Sequence, residues 1–211
     1  LNPWNIDALQ EIEKETGRKI YTVLQLRLHP KILELREKIL NGPKDKVYDV
    51  DLSYITSRGN WYHISWKGDV QKSGGVATNI GIHFFDMLSW IFGDTTRIIV
   101  HVSEPNKAAG FLELENARIR WFLSIDSNDL PAEAKKSGKR TYRSITVEGE
   151  EIEFSEGFGD LHTQTYREIL DGRGFGLNES RQSIITAFTI RNSKPVGLVG
   201  EYHPLLKPYN L

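Results

Sequence analysis

The sequence predicts an α+β fold in which an open, mainly antiparallel β-sheet is covered by helices on one face. Three observations lead to this prediction. Segments 96–104, 110–126 and 143–155 alternate apolar and polar side chains, as half-buried strands do. Short turns near Glu115 and near Gly149 divide the last two segments into hairpins. Segments with the helical period lie on both sides of this β-rich region, and they supply the covering layer.

The first quarter of the chain has signals for two helices and two strands. Helices are predicted at 2–17 and 30–42, and strands at 19–30 and 46–57. Asn2 can cap the first helix and Gly17 follows its last turn. Leu24, Leu26 and Leu28 alternate with polar residues, which favours a half-buried strand. Two further helices, at 160–172 and 178–192, close the chain, with Asp160 and Asn178 as expected N-caps.

Segment 73–93, SGGVATNIGIHFFDMLSWIFG, is predicted to form one largely buried helix. When the side chains are placed around a helix at about 100° per residue, one flank of the helix is apolar and is expected to face the core. That flank consists of Ile80, Phe84, Leu88 and Ile91. A narrow stripe of other side chains lies beside it, comprising Asn79, His83, Asp86 and Trp90. A core helix needs no such stripe, so these residues are candidates for a site.

Composition narrows the classes of function. The formal net charge is −1, so no basic field points to a nucleic acid or an anionic membrane, and no apolar run is long enough for a membrane span. There are no cysteines, which excludes disulfides and thiolate zinc sites and fits a reducing compartment. Neither GFGDLH nor GFGLNE completes a dinucleotide fingerprint, and both are better explained as turns.

His83 admits three interpretations from the residues alone. With Asp86 at i, i+3 it can bind a metal or form a polarised histidine–carboxylate pair. Alternatively both are buried, hydrogen-bonded structural residues, which is the commoner role of a lone helical histidine. No second cluster of ligands completes a metal site, so no metal is expected.

Several cations are candidates for binding an anionic ligand. Arg58, Lys67 and Lys72 alternate with aromatic residues in the glycine-containing loop 58–75, a composition that suits a phosphate or carboxylate joined to a base or sugar. Arg27 lies on the polar face of its predicted strand. The simpler alternative is that these cations are solvated surface residues.

The motif GGVATNIGIHFFD resembles the Gly-Gly, acid-or-amide, Gly-x-His-x-x-Asp segment of the Gfo/Idh/MocA family of nicotinamide-dependent sugar dehydrogenases. The closest subgroup is the UDP-N-acetyl-2-amino-2-deoxyglucuronate 3-dehydrogenases. The segments NPWNIDAL, LQLRLHP, SRGNWYHISWKGD, GFGDLHTQTYREIL and PVGLVGEYHP also resemble that subgroup. Family members often have Asp at the position of Asn79, so Asn departs from the general pattern but matches the subgroup.

The resemblance implies an organisation in two domains. Family members carry an N-terminal Rossmann domain, with a glycine-rich loop and a catalytic Lys in a Glu-Lys-Pro segment that would precede Leu1. Residues 1–28 are then expected to be the last helix and strand of that domain, and 29–211 the substrate-binding and oligomerisation domain. NAD would be bound mainly by the Rossmann domain, with a possible nicotinamide contact from Asn79. The fragment alone is expected to be inactive and to bind NAD weakly or not at all.

The resemblance also implies a reaction. The full enzyme is expected to oxidise C3 of UDP-N-acetylglucosaminuronate, in the cytoplasm, for O-antigen (lipopolysaccharide) biosynthesis. Either His83 removes the hydroxyl proton, or the upstream Lys does so while His83 orients the sugar. Arg27, Arg58, Lys67 and Lys72 are the expected anchors for carboxylate or pyrophosphate.

A homo-oligomer, dimer or tetramer, is expected through the open face of the sheet. Apolar residues of segment 110–126 are predicted to lie on both faces, where helices on one side cannot cover them all: Phe111, Leu112, Leu114, Ile119, Trp121, Phe122 and Leu123. The alternative function is a non-catalytic oligomerisation or ligand-binding module.

Overall fold

A computed structural model of the chain describes residues 2–206. The helices are α1 (Pro3–Thr16), α2 (Pro30–Leu40), α3 (Asn60–Ile64), α4 (Val70–Ser73), α5 (Gly75–Asn79), α6 (Gly81–Phe92), α7 (Ala132–Lys136), α8 (Leu161–Leu170) and α9 (Leu177–Asn192). The strands are β1 (Tyr48–Thr56), β2 (Thr95–Ser103), β3 (Lys107–Leu114), β4 (Ala117–Ser124), β5 (Thr141–Val147) and β6 (Glu150–Glu153). None of the helices within 2–206 is both long and apolar enough to cross a membrane.

The six strands form one open sheet with the order β2-β3-β4-β1-β5-β6. Every neighbouring pair is antiparallel except β1 and β4, which run parallel. Both predicted hairpins are confirmed, with turns at residues 115–116 and 148–149. Glu148 and Gly149 have φ values of 53° and 81°, the pair of positive angles that a tight two-residue hairpin turn requires.

The main core lies between one face of the sheet and α6. All four residues of the predicted apolar flank, Ile80, Phe84, Leu88 and Ile91, are buried as expected. Phe85 meets Trp121 of β4 edge to face, with ring centroids 5.3 Å apart. Large, rigid rings in this geometry fix the helix on the sheet and stabilise the contact beyond simple area burial.

The opposite face of the sheet differs from the prediction. Leu112, Leu114, Ile119, Trp121 and Leu123 all belong to the helix-side core, because they occupy alternate positions that face it. Phe111 and Phe122 are also buried. Apolar residues of this segment therefore lie on both faces, as predicted, but the expectation that those on the opposite face are exposed was wrong.

A segment that we call the C-terminal strap, residues 194–206, covers part of that opposite face. Its Val196 amide donates to the Val100 carbonyl (2.9 Å), and His203 stacks on Phe122 with centroids 5.7 Å apart. Next to the strap the face is charged, and Arg120 donates to Asp51 at 2.5 Å. This face therefore combines an apolar cluster around Phe122 with the charged pair of Arg120 and Asp51.

Three local predictions were wrong. Segment 19–30 is not a strand, because its backbone finds only one sheet-like partner, Phe175 opposite Thr22, and residues 25–28 form a 3₁₀ turn instead. Segment 73–93 is two helices, α5 and α6, separated at Ile80. The N-cap of α9 is Gly176, whose amide donates to Glu179 (3.0 Å).

Helix α1 packs on α9 in a small second core made of Ile6, Leu177 and Ile184. Trp4 meets Phe188 edge to face at 5.2 Å. The predicted division of the chain at residue 28 stays a prediction, although α1 has a packed position on the rest of the structure.

Candidate active-site cleft

A cleft of about 300 Å³ lies over the junction of α5 and α6. The 3₁₀ turn, loop 58–67, strands β1 and β5, and the start of α8 complete its walls. The cleft is lined by Gln25, Leu26, Tyr54, Arg58, Tyr62, Lys67, Asn79, Ile80, His83, Phe84, Arg143, Phe158 and His162. Four of the predicted site residues, Asn79, His83, Arg58 and Lys67, are thus brought together.

The break between α5 and α6 positions the amide and the imidazole. Asn79 is the last residue of α5 and His83 lies in the first turn of α6, and both line the cleft. The Asn79 Nδ2 donates to the Tyr62 hydroxyl at 3.0 Å, which orients the amide and leaves Oδ1 able to accept another bond. Tyr62 is buried, so the amide is held from below by a fixed residue.

The environment of His83 favours its neutral form. Burial lowers the pKa of His83 below the usual 6.5, and the nearby His162 lowers that pKa further. A neutral imidazole has one nitrogen that can accept a proton. At neutral pH His83 is therefore suited to act as a general base or as a hydrogen-bond acceptor.

The cleft is cationic. Arg58, Lys67 and Arg143 line it, and no Asp or Glu is among its lining residues within the described chain. None of the three forms an ion pair with any residue of 2–206. Three cations without a protein counterion suit a ligand that carries several negative charges.

One uncharged group also lacks a partner. The Oε1 atom of Gln25 is buried and accepts no hydrogen bond from the described residues. Buried acceptors are nearly always satisfied, so an orphan in a cleft wall marks a position where a bound molecule can donate. A hydroxyl or an amide N–H on a ligand would meet this need.

Arg27 does not take part in this cleft, which corrects its prediction as an anion anchor. Its Nε and Nη2 donate to Asp86 Oδ2 and Oδ1 at 2.9 and 2.7 Å, and Nη2 also donates to the Glu179 carbonyl at 2.9 Å. The side chains of Arg27 and Asp86 are only 7% and 2% exposed. Burial raises the pKa of the Asp86 carboxyl, and the hydrogen bonds and charge of Arg27 oppose that rise. Asp86 is accordingly a structural carboxylate.

Lys72 also lies outside the cleft. Its ammonium group is exposed and lies 3.5 Å from Asp69, whose carboxylate caps α4 by accepting from two backbone amides. The short helix α4 directs Lys72 toward solvent, so the prediction of a substrate contact from this residue has no support in the geometry. Within 2–206, no group of three or more acidic or histidine side chains has the arrangement of a metal site.

Sequence reasoning missed several lining residues, above all Arg143. Strand β5 places Arg143, Ile145 and Val147 on one face, where they pair with Tyr54, Leu52 and Val50 of β1. An arginine in an alternating series that is otherwise apolar was a usable signal. Tyr62, Phe158 and His162 carried no comparable signal, because only the tertiary fold brings their segments to the cleft.

Comparison with known proteins supports the α+β fold described above. Residues 36–130 match the family model described as "Oxidoreductase family, C-terminal alpha/beta domain", GFO_IDH_MocA_C. The WlbA (WbpB) dehydrogenase from Thermus thermophilus, solved with NAD and alpha-ketoglutarate, superposes with a TM-score of 0.92 and 52% identity. That match covers 96% of this chain and 65% of the Thermus chain.

Two further structures extend the comparison. The Thermus enzyme solved with NAD and UDP-GlcNAcA gives a TM-score of 0.91 with the same identity and coverage. The WlbA dehydrogenase from Bordetella pertussis is 18% identical, with a TM-score of 0.71 over 95% of this chain and 69% of that one. At that identity the likeness supports the fold alone.

The sheet, its helical layer and the family match define this chain as the C-terminal α/β domain of an oxidoreductase. Residues 36–130 match the C-terminal domain of the Gfo/Idh/MocA family, and the whole described fold resembles that of the Thermus dehydrogenase. The chain spans 65% of the length of its Thermus relatives.

Proposed function

We propose that this domain is the substrate-binding part of an NAD-dependent dehydrogenase that oxidises C3 of UDP-N-acetylglucosaminuronate. The observation that carries the proposal is a cationic cleft, without protein carboxylates in its described wall, that is lined by the neutral imidazole of His83. The 52% identity to a Thermus enzyme solved with NAD and UDP-GlcNAcA supports this choice of substrate. The reaction would serve O-antigen sugar biosynthesis in the cytoplasm.

The described residues fit one end of the cofactor only. NAD supplies the hydride acceptor when it is bound. The free Oδ1 of Asn79 can accept from the nicotinamide amide or from a sugar hydroxyl. No strand within 2–206 leads into a glycine-rich turn that opens a helix, so these residues provide no cradle for the pyrophosphate.

The residues of the cleft have complementary tasks in this proposal. As the hydride leaves C3, the proton of the C3 hydroxyl must also leave, and His83 either accepts that proton or holds the hydroxyl for an upstream Lys. Arg58 and Lys67 neutralise the diphosphate. Gln25 Oε1 accepts from a hydroxyl or from the acetamido N–H of the sugar.

We also propose that the protein forms a homo-oligomer through the face of the sheet that bears the strap. The support differs from the apolar argument, because this face carries exposed charged residues such as Asp49 and Arg118. In a symmetric dimer, an acidic residue of one copy can face a basic residue of the other copy, and the two-fold axis repeats this pair. Light scattering at increasing salt concentration tests this, since an interface of this kind weakens as charges are screened.

Calorimetric titration of UDP-N-acetylglucosaminuronate into the chain tests the substrate assignment. We expect binding that weakens with salt and that is lost in the double variant Arg58→Gln/Lys67→Gln. Arg140→Gln, which alters an exposed cation outside the cleft, is the matched control and should bind as the parent does. Equal binding by the parent and the double variant would remove the basis of the assignment.

A further inference from the structure

We propose that Arg143 is the specificity residue that selects a uronate over the corresponding neutral hexose, by binding the sugar carboxylate through its guanidinium. This inference rests on the proposed function, because it assigns one group of the substrate to one residue of the same cleft. It adds a basis for distinguishing two nucleotide sugars that differ only at C6.

The strand register brings Arg143 to the sugar end of the site. Arg143 pairs with Tyr54 across β5 and β1, on the face of the sheet that α6 covers. Tyr54 in turn packs on Phe84, the neighbour of His83 in α6, with ring centroids 4.8 Å apart. Arg143 therefore lines the same cleft as His83. A sugar ring that contacts His83 there lies within reach of Arg143.

The guanidinium of Arg143 is held in one orientation. Its Cζ lies 4.0 Å from the centre of the Phe158 ring and 5.3 Å from that of Tyr54. Nη1 donates to the Ser155 carbonyl at 3.1 Å. Stacking of this kind fixes the plane of the fork and leaves its other N–H groups available at the edge. A planar carboxylate is the anion that such a fork binds with two parallel hydrogen bonds.

The charge of Arg143 is also uncompensated. Burial lowers the pKa of its guanidinium, the Tyr54 hydroxyl opposes that shift, and nearby Arg58 adds to it, yet the group stays charged at neutral pH. No carboxylate of residues 2–206 pairs with it. A partly desolvated cation without a counterion is unfavourable, so a ligand that brings a negative charge to it is favoured.

The other two cations of the cleft suit a different group. Arg58 is exposed, and Lys67 is partly exposed on a flexible stem. Cations at a solvated rim contribute long-range attraction and tolerate several geometries, as a diphosphate requires. The uronate carboxylate and the reacting C3 hydroxyl are carried by the same ring, so the carboxylate falls to the more buried Arg143.

Selectivity follows from this arrangement. A neutral hexose places a hydroxymethyl group where the carboxylate would be and leaves the stacked guanidinium without its anion. When a binding site has a buried polar group that pairs with the ligand, it strongly rejects an analogue that lacks the pairing group. This rejection is much stronger than the rejection by an apolar pocket of a ligand that lacks one methylene. Arg143 should therefore determine the preference for the uronate and leave the affinity for the neutral sugar nearly unchanged.

The test compares UDP-N-acetylglucosaminuronate with UDP-N-acetylglucosamine by calorimetry on the parent chain and on Arg143→Gln. We expect the variant to lose roughly 10- to 100-fold in affinity for the uronate, as a charge-assisted fork would, and less than about threefold for the neutral sugar. Arg143→Lys keeps the charge without the fork and should fall between the parent and Arg143→Gln; it also serves if Arg143→Gln does not fold. Arg140→Gln is the control and should match the parent for both ligands.

The outcomes separate the two proposals. Equal losses for both sugars, or no loss for the uronate, would overturn the role of Arg143 while the proposed substrate stands. A parent chain that binds neither sugar would instead refute the proposed function, and the inference with it.

Discussion

Substitution of Arg27 by Met should destabilise the domain severely, because it leaves a carboxylate buried without a partner. In the structure Asp86 is only 1% exposed and receives two hydrogen bonds from Arg27. Removing one partner of a buried ion pair typically costs about 3–5 kcal/mol. Arg27 also stacks on Phe175 at 4.9 Å, and Met retains part of that packing. For a chain of this size the loss corresponds to a fall in Tm of roughly 6–20 °C.

Urea denaturation of the parent, Arg27→Met and the double variant Arg27→Met/Asp86→Leu gives the free energies of unfolding. The double variant should recover most of the loss, since it removes the buried charge along with its partner. Arg173→Met is the matched control, because Arg173 has carboxylate partners in Glu168 and Asp171 but lies on the surface, and its Tm should stay near that of the parent.

The pH dependence supplies a second signature. Without Arg27, burial is opposed only by the hydrogen bond from Ser183, so the folded-state pKa of Asp86 stays above the ordinary value of 3.8. A carboxyl whose pKa is raised in the folded state favours folding at low pH. This contribution is lost as the pH rises through the folded-state pKa of Asp86. The difference in stability between parent and Arg27→Met should therefore shrink on acidification. A loss below about 1 kcal/mol that does not vary with pH would refute the structural role and restore Arg27 as a possible substrate anchor.

Three further predictions follow from the same geometry. Burial lowers the pKa of His29 and His101, and it lowers that of His203 to about 4. Folding stability should therefore fall as the pH drops below about 6.5, and it should continue to fall until these groups are protonated. Denaturation midpoints measured across this pH range test the prediction. In a protein that carries this domain with its Rossmann partner, His83→Asn should reduce turnover by roughly 10² or more and leave NAD affinity intact; a variant within threefold of the parent contradicts the assignment. The isolated chain should bind NAD weakly or not at all in calorimetry, and micromolar affinity would disprove this.

The parts of the fold that sequence predicted well were those with strong local patterns. The hairpins of β3–β4 and β5–β6 combine alternation with tight turns, and both lie where they were expected. The apolar flank of segment 73–93 also packs as its period indicates. In these elements local preference and tertiary packing favour the same structure.

The errors arose where tertiary contacts decide the outcome. Segment 19–30 alternates like a strand, yet its backbone meets only one bridge partner and forms a 3₁₀ turn. That turn delivers Arg27 to Asp86, a pairing between residues 59 positions apart that no spacing rule reveals. Phe122 is covered by His203 of the distant strap, which alternation along β4 does not indicate.

The candidate site was predicted in part. The stripe on segment 73–93 includes Asn79 and His83, and both of these residues line the cleft. Its other two members, Asp86 and Trp90, instead meet Arg27 in the interior. Charge composition found Arg58 and Lys67 but could not separate them from Lys72, because the direction of an exposed lysine depends on the short helix that carries it.

The most direct test of the central claim is a titration of the chain with UDP-N-acetylglucosaminuronate followed by nuclear magnetic resonance. The claim is that the cleft at the α5–α6 junction holds the sugar of this ligand. We predict saturable shifts of the His83 ring, the Asn79 side-chain amide and the Arg143 guanidinium signals, with His203 behind the sheet unaffected. Saturation that shifts His203 and leaves the His83 and Asn79 signals in place, or no saturation at all, would contradict the claim.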